Sequence, residues 1–387
     1  MSNISQAIVL SAGPNGLGAL RSLTLENVIT DVIVLNEQES VLYSRLYSQA
    51  EIIAQDDKEQ GLLALLRKRQ DKGQVLIPTS DWFVDFLVRH QEELSNDYLF
   101  VLPGDNLSKR FIDKREEIAL VGELVHLPKS VTHLPENPDE LTCAIDLPMI
   151  IKPRSNELNR LGKKNIVINT QLELQAFYQQ YSEALEYCVV QELIEGDDDR
   201  LWVCNCVFDE QHQLINAFTF QRLQLTPPHF GVTCYAQSIE NKDIIKQVQE
   251  LGAGLNYVGP AMVEFKFDDK DQLYKYIEVN PRLGLCNYFD TSCGRNNVYA
   301  TYCLAKNLPF TSSPGQKHRI FISVFEDLYS RYRDGQSVIS IARTYLSDLF
   351  KPHTFIYFCW RDPWPSIAVG YNQIRTIIKS IWHKLKK

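Results

Sequence analysis

The 387-residue sequence lacks the features that mark several common classes of protein. No uninterrupted apolar stretch approaches the roughly 18 residues that a membrane-spanning helix requires. A formal net charge of −8 lacks the basic excess that is usual for a general nucleic-acid-binding protein. Residues 1–13 have neither the basic segment nor the long apolar run of a signal peptide. We therefore expect a cytoplasmic protein that does not bind nucleic acid.

Cysteine and histidine are present, but without the spacing of a metal site. The nine cysteines include no Cys-x-x-Cys pair, and their odd number argues against a disulfide framework. The eight histidines show no metal spacing either, and no Ser, Cys or His belongs to a convincing catalytic triad. Because free cysteine is usually buried, we expect reduced thiols inside the protein.

The composition and the hydrophobic pattern of the sequence change twice along the chain. Residues 1–105 alternate short apolar runs with helical patterns, which predicts an α/β domain with a parallel sheet. Its glycine turn, 11–18, does not match the G-x-G-x-x-G order of a dinucleotide site, so we predict only a tight strand-to-helix turn. Residues 106–310 predict an α+β domain with antiparallel strands. Residues 311–387 are aromatic and increasingly basic, which predicts a helical C-terminal extension.

Two predicted strands, joined by a short acidic turn, carry the most informative side chains. Glu264 points to one face of the first strand, and Glu278 and Asn280 share one face of the second. If the strands pair, these oxygens converge into a site suited to Mg²⁺. Arg282, just beyond Pro281, is placed to meet a phosphate or carboxylate. The alternative is an exposed hairpin face that carries ordinary charges.

The Glu-x-Asn-Pro-Arg motif at 278–282, preceded fourteen residues earlier by another Glu, resembles the metal-binding hairpin of ATP-grasp enzymes. Three further segments resemble that family's motifs in the family's order. They are the pair Asp113-Lys114, the strand at 147–153 that ends in Lys152-Pro153, and the strand at 189–196. One departure is the segment 154–164, which has a single glycine where the family has a glycine-rich loop over the phosphates; its basic residues are the candidate replacement.

The resemblance implies a domain plan and a role for each motif residue. It implies a preceding α/β domain at 1–105, a two-lobed ATP-grasp domain at 106–310 with its small lobe at about 115–190, and an extension at 311–387. The implied ATP-binding residues are Lys114, Lys152, Gln191, Glu192, Leu193, Ile194 and Asp199, with Asp198 as an alternative to Asp199. The implied ligands of Mg²⁺ (or Mn²⁺) are Glu264, Glu278 and Asn280. Arg282 and Lys152 are the implied catalytic residues.

The activity that the resemblance implies is an ATP-dependent carboxylate–amine ligase. The γ-phosphoryl group of ATP converts a carboxylate into an acyl phosphate, which an amine then attacks to give an amide. Two alternatives stay open: activation of bicarbonate as in carbamoyl-phosphate synthase, although the chain is too short for that enzyme's paired halves, and a nucleotide-binding module without turnover. Arg45 is a candidate for binding a substrate carboxylate or for a surface salt bridge.

The end of the sequence predicts an amphipathic helix. Its apolar stripe consists of Ile374, Ile377, Ile378, Ile381, Trp382 and Leu385, with basic residues largely elsewhere. Such a helix docks on its own domain or on a homodimer partner, or it lies at the inner face of an anionic membrane. D-aspartate ligase-like enzymes and ligases of surface-polysaccharide gene clusters are similar family members. The working hypothesis is therefore an amino acid joined to a cell-envelope glycan or peptidoglycan precursor.

Overall fold

The computed structural model describes residues 6–53, 56–69, 72–104 and 106–385, with side chains as far as residue 376. Three sheets organise these residues, and they follow one another along the chain.

The first sheet has five parallel strands in the order β3-β2-β1-β4-β5. Its strands are β1 (Ala7–Ser11), β2 (Thr30–Val34), β3 (Ala50–Ile52), β4 (Gln74–Pro78) and β5 (Tyr98–Leu99). The helices around it are α1 (Gly13–Leu25), α2 (Lys58–Lys68), α3 (Asp81–Arg89) and α4 (Gln91–Leu94). Helices on both faces bury β1, β2 and β4 completely, which explains their continuous apolar sequences. The predicted parallel-sheet domain is confirmed.

The second sheet has four strands in the order β6-β9-β7-β8, all paired antiparallel. Its strands are β6 (Ser130–Val131), β7 (Met149–Pro153), β8 (Ile166–Ile168) and β9 (Cys188–Glu192). The helices of this region are α5 (Leu107–Arg110), α6 (Lys114–Val121), α7 (Pro138–Ala144) and α8 (Gln171–Gln180). Leu141 of α7 and Leu174 and Phe177 of α8 pack on Ile151 and form this lobe's own core.

The third sheet has seven strands in the order β14-β13-β10-β11-β12-β15-β16. Its strands are β10 (Leu201–Phe208), β11 (Leu214–Thr226), β12 (Val232–Ser238), β13 (Gly259–Asp268), β14 (Leu273–Asn280), β15 (Ile320–Ile322) and β16 (His353–Phe355). Helix α9 (Lys242–Gly254) buries Ile244, Val248 and Leu251 against this sheet. Helices α10 (Asn287–Ser292) and α11 (Asn297–Ala305) follow the β13–β14 hairpin.

The region after residue 310 contains the predicted helices, but it is not helical throughout. Its helices are α12 (Val324–Arg333), α13 (Val338–Asp348) and α14 (Trp364–Leu385). Strand β15 pairs with β12, and β16 pairs with β15, so two strands of this region complete the third sheet. The predicted helical, basic extension is therefore not confirmed as one helical unit, because it also contributes two three-residue strands, which are too short to be recognised in the sequence. Helix α14 covers the predicted apolar stripe, of which Ile377, Ile378, Ile381, Trp382 and Leu385 lie outside the described side chains.

Buried polar contacts fix the first domain against the end of the β13–β14 hairpin. The amide nitrogen of Asn15 donates to the carbonyls of Thr79 and Leu283, at 2.7 and 3.0 Å. The Asn287 amide donates to the Asn15 carbonyl at 3.0 Å. These bonds hold the carboxyl ends of β1 and β4 next to the end of the hairpin, where Arg282 lies. The glycine turn predicted at 11–18 is thus a packing junction between domains.

Candidate active site

The β13–β14 hairpin is antiparallel, as predicted, and its register brings the carboxylates together. Glu264 lies opposite Glu278, and Met262 lies opposite Asn280. Residues that face each other across paired strands project to the same face of the sheet. The hairpin therefore holds two carboxylates and one amide on neighbouring strands, at the edge of the large sheet nearest the small lobe.

The Glu278 carboxylate lies beside two lysines from the small lobe. Lys114 begins α6, whose N-terminus Asp113 caps by accepting the backbone N–H of Arg115 at 2.9 Å. The Lys114 Nζ atom is 2.7 Å from Glu117 and 3.4 Å from Glu278. Burial alone would raise the pKa of Glu278, but Lys114 and Lys152 outweigh it and lower that pKa to about 2. Glu278 is therefore ionised at neutral pH.

Lys152 comes from strand β7 and reaches the strand that leads to the second lobe. Its ammonium donates to the Gln191 amide oxygen at 2.8 Å, and the Gln191 amide nitrogen donates to Ser130 at 3.0 Å. Burial and the nearby charge of Lys114 lower the pKa of Lys152 to about 8. The two lysine ammonium groups thus lie among the carboxylates of Glu117 and Glu278, and the direct partner of Lys152 is a neutral amide oxygen, which an anionic ligand can replace.

Glu264 has a partner that the sequence did not indicate. Arg222 on β11 donates through both terminal nitrogens to the two oxygens of Glu264, at 2.8 and 2.6 Å, and both side chains are buried. Burial lowers the pKa of Arg222, but the Glu264 carboxylate raises it above its usual value. The sequence pattern could have indicated that Arg222 is buried, although not which residue it contacts. Arg222 follows Phe218 and Phe220 at alternate positions of one strand, so all three project to the same buried face.

Arg282 reaches from the end of the hairpin to the first domain. Its Nε and Nη2 atoms bind the two carboxylate oxygens of Asp81 at 2.6 and 3.2 Å. The same Nη2 atom is 3.3 Å from the Asn280 amide oxygen. Asp81 is the first residue of α3 and is largely exposed, so its carboxylate meets Arg282 at the surface between the first domain and the hairpin.

The residues predicted to bind adenine follow the small-lobe sheet. Gln191 and Glu192 end β9, and Leu193 and Ile194 come directly after it. The Leu193 N–H donates to the Pro148 carbonyl at 3.1 Å, and Ile194 is buried. The Glu192 carboxylate does not point to a free site, because the buried Lys275 ammonium lies 2.6 Å from it.

Lys275 also binds a cluster of three carboxylates that is separate from Glu264 and Glu278. Glu192, Asp268 and Asp271 have carboxylate oxygens close enough to share one metal ion. The Lys275 ammonium lies 2.6 to 2.7 Å from all three of them. A bound cation would have to displace that ammonium, so the cluster is an internal ion-pair network.

The two candidates for a ribose contact differ in what they already bind. The Asp198 carboxylate is buried and accepts the N–H of Leu225 at 2.9 Å. The Asp199 side chain is about half exposed, and Arg200 is its nearest cation at 3.9 Å. This difference favours Asp199, whose oxygens are available to a hydroxyl group, over Asp198.

The segment 154–164, which replaces a glycine-rich loop, is anchored to the start of α6. The Arg154 Nε donates to both Asp113 oxygens, at 3.2 and 3.1 Å, and the Lys114 N–H donates to the Arg154 carbonyl at 2.8 Å. The charge of Lys164 is one of those that lower the pKa of Glu278, after Lys114 and Lys152. Basic side chains of this segment therefore border the carboxylate site.

The hairpin oxygens suit a divalent cation. Within the described part of the chain, the side chains of Glu278 and Asn280 are held by long contacts, of 3.4 Å to Lys114 and 3.3 Å to Arg282, so a ligand can displace these partners. Each Glu264 oxygen accepts one hydrogen bond from Arg222 and retains a further lone pair. Two carboxylates and an amide oxygen are the donors that Mg²⁺ accepts alongside phosphate oxygens.

Comparison with known proteins shows what the chain as a whole is similar to. No family model matches the chain. A D-aspartate ligase from Enterococcus faecium (strain Aus0004) is 24% identical over 354 residues, which cover 84% of each protein. No described helix is both long and apolar enough to cross a membrane.

Solved structures share the fold. A biotin carboxylase from Campylobacter jejuni, in complex with β,γ-ATP, has a TM-score of 0.63 at 15% identity and covers 81% of this chain and 74% of its own. The N5-carboxyaminoimidazole synthetase from Staphylococcus aureus, complexed with ADP, has a TM-score of 0.63 at 14% identity and covers 86% and 88%. The biotin carboxylase domain dimer of the Hydrogenobacter thermophilus 2-oxoglutarate carboxylase, with MgADP and bicarbonate, has a TM-score of 0.62 at 13% identity and covers 80% and 72%.

These likenesses confirm the resemblance that the sequence motifs indicated, and they do so at the level of the fold. The chain has the ATP-grasp fold, and its sequence is similar to that of a D-aspartate ligase.

Proposed function

We propose that the protein joins a carboxylate to an amine at the expense of ATP, through an acyl phosphate. The observation that carries this proposal is the ionised, partly buried Glu278 beside Lys114 and Lys152, directly across the hairpin from Glu264. A carboxylate whose pKa is strongly lowered by neighbouring cations is typical of a functional site.

The chain's own residues supply charge and position in this reaction. Lys114 and Lys152 hold oxygens of the β- and γ-phosphates, and Arg282 steadies the group that is transferred. A substrate carboxylate oxygen attacks the γ-phosphorus, and the bond to ADP breaks. The amine nitrogen then attacks the carbonyl carbon of the acyl phosphate, inorganic phosphate leaves, and the nitrogen loses a proton to give the amide.

Glu264, Glu278 and Asn280 are the proposed ligands of the divalent cation. When bound, Mg²⁺ or Mn²⁺ would neutralise charge on the phosphate oxygens of ATP. Arg222 has a positioning role, because its paired hydrogen bonds fix the orientation of the Glu264 carboxylate.

The proposed substrates are an amino acid, as the carboxylate, and an amine on a cell-envelope glycan or peptidoglycan precursor. The similarity to a D-aspartate ligase over 84% of the chain supports this class. The predicted homodimer also remains a proposal, which the dimeric carboxylase domain of the same fold supports.

The test is a screen for ADP release against D- and L-amino acids with amine acceptors, followed by mass spectrometry of the product. The Glu278→Gln variant should release no ADP above background while it remains folded by circular dichroism. Glu195→Gln makes the same chemical change at an exposed position and should keep full activity. Normal turnover in Glu278→Gln would remove the proposed site.

Bicarbonate is the second candidate carboxylate, because one neighbour of the same fold was solved with bicarbonate and MgADP. If bicarbonate alone stimulates ADP release and no amino acid does, this second function replaces the first. If neither bicarbonate nor any amino acid stimulates ADP release, the remaining function is that of a nucleotide-binding module without catalytic turnover.

A further inference from the structure

Helix α12, which follows β15, has polar side chains inside and apolar side chains outside. Helix α12 buries Asp327, Ser330 and Arg331. The exposed large apolar side chains of the same helix are Val324, Phe325, Leu328, Tyr329 and Tyr332. A helix at the surface of a soluble protein normally has the opposite arrangement. The outer side of α12 is therefore suited to an apolar environment.

Buried hydrogen bonds fix this orientation. The Arg331 Nε is 2.9 Å from both Asp327 oxygens, and the Tyr345 hydroxyl of α13 donates to Asp327 at 2.8 Å. The Tyr235 hydroxyl of β12 donates to Asp348, at the end of α13, at 2.6 Å. Turning either helix to hide its apolar side would leave buried charges unpaired, which is strongly unfavourable.

Two further helices with exposed apolar side chains contact α12. Helix α13 contacts it through the Tyr345 hydroxyl, and the Gln373 amide of α14 donates to Glu326 at 3.1 Å. The exposed apolar side chains of this neighbourhood are Val338, Ile339, Leu346, Leu349 and Phe350 around α13, Trp360 in a loop, and Trp364, Ile367, Tyr371 and Ile374 on α14. Fifteen of the 24 large apolar residues that are exposed in the described chain lie between 324 and 374. We call these fifteen residues the apolar face.

The charge around the apolar face is basic, although the protein as a whole is acidic. Residues 317–387 contain twelve Lys and Arg and five Asp and Glu, a net charge of +7, so residues 1–316 carry −15. Three of the five acids, Asp327, Asp348 and Asp362, are buried. Among the described side chains of this range, the exposed cations are Lys317, Arg333, Arg343, Lys351, Arg361 and Arg375. The partner of this surface should therefore be both apolar and anionic.

We propose that the apolar face docks on the surface of an anionic lipid bilayer. Aromatic side chains such as Trp360 and Tyr332 suit the interfacial region, and the surrounding arginines and lysines suit acidic headgroups. No described helix can cross the membrane, so the helices lie along it. A second copy is the less favourable occupant, because a two-fold contact would bring two such basic surfaces together.

The test measures binding of the full chain to sedimented vesicles of phosphatidylcholine alone and of phosphatidylcholine with phosphatidylglycerol. Binding should be at least tenfold stronger to the anionic vesicles and should weaken with added salt. The variant V338S/F350S/W360S should bind at least tenfold more weakly, because it removes apolar groups that are 81%, 94% and 88% exposed. Leu172→Ser, at a 78% exposed position on α8, is the matched control and should bind as the unchanged protein does.

The result of the vesicle-binding experiment does not depend on whether the proposed ligase activity is correct. The triple variant should keep its circular dichroism spectrum and its ADP release with soluble substrates, because none of its positions belongs to the nucleotide site. Equal binding of the triple variant and the control, or no binding to anionic vesicles, would overturn the proposal. So would a concentration-dependent dimer in sedimentation velocity that the triple variant abolishes, because the apolar face would then be covered by a second copy.

Discussion

Arg282 at the end of the β13–β14 hairpin forms a bidentate ion pair with Asp81 at the start of α3. The pair joins the proposed nucleotide site to the first domain, 201 residues away in sequence. Arg282 also lies 3.3 Å from Asn280, so Asp81 fixes the guanidinium next to one proposed cation ligand. Asp81 is therefore a positioning residue for Arg282.

We predict that Asp81→Asn lowers kcat/KM by about tenfold, because the guanidinium loses its fixed orientation. The melting temperature should change little, since Asp81 is largely exposed and exposed pairs contribute about 1 kcal/mol or less. Steady-state ADP release measures the first quantity. In Arg282→Ala, the further change Asp81→Asn should have almost no additional effect. Additive losses in the double variant would show that Asp81 acts independently of Arg282.

The buried pair between Arg222 and Glu264 predicts an effect on stability. Arg222→Gln should lower the free energy of unfolding by about 3 kcal/mol, because it leaves the buried Glu264 carboxylate without its partner. Urea denaturation followed by fluorescence measures this change. The double variant Arg222→Gln/Glu264→Gln should recover part of the loss, since no unpaired charge remains. A single variant as stable as the unchanged protein would contradict this account.

The lowered pKa of Lys152 predicts how activity depends on pH. Burial and Lys114 hold that pKa at about 8, so the ammonium loses its proton as the pH rises through about 8. Since Lys152 is proposed to bind phosphate as a cation, kcat/KM for ATP should fall above that pH, with the apparent pKa of the free enzyme. Lys152→Arg should move this decline to much higher pH, because arginine stays charged. An unchanged alkaline limb in that variant would assign the titration to another group.

The same shift predicts the pH dependence of stability with a definite sign. Between about pH 8 and the ordinary lysine pKa of 10.5, the unfolded chain binds more protons at Lys152 than the folded chain does. The contribution of Lys152 to the free energy of unfolding should therefore rise with pH across this window. Lys152→Met, which has no titration, should lose this contribution when denaturation is compared at pH 7.5 and 10.

Local patterns in the sequence predicted the hairpin, the lysine strand and the parallel sheet. Glu264 and Glu278 could be paired from sequence, because alternation fixes the face of each residue and a short turn fixes which strands meet. Arg222 and Asp81 could not be assigned partners in this way, since they come from β11 and from another domain. Strands β15 and β16 were not predicted either, because a strand of three residues is too short to show a period. Contacts between residues that lie far apart in the sequence could not be predicted from local patterns.

The junction between the domains gives a final prediction. A Cβ atom added to Gly18 in α1 would lie 2.1 Å from the Asn287 amide oxygen, and the buried Asn287 is held by its bond to the Asn15 carbonyl. Gly18→Ala should therefore lower the free energy of unfolding by about 1–2 kcal/mol, even though alanine favours helix more than glycine does. Gly104→Ala is the matched control, because nothing lies within 4 Å of its added Cβ and its φ is not positive. Denaturation of both variants in urea measures the difference, and equal stability would mean that the junction yields to the added methyl group.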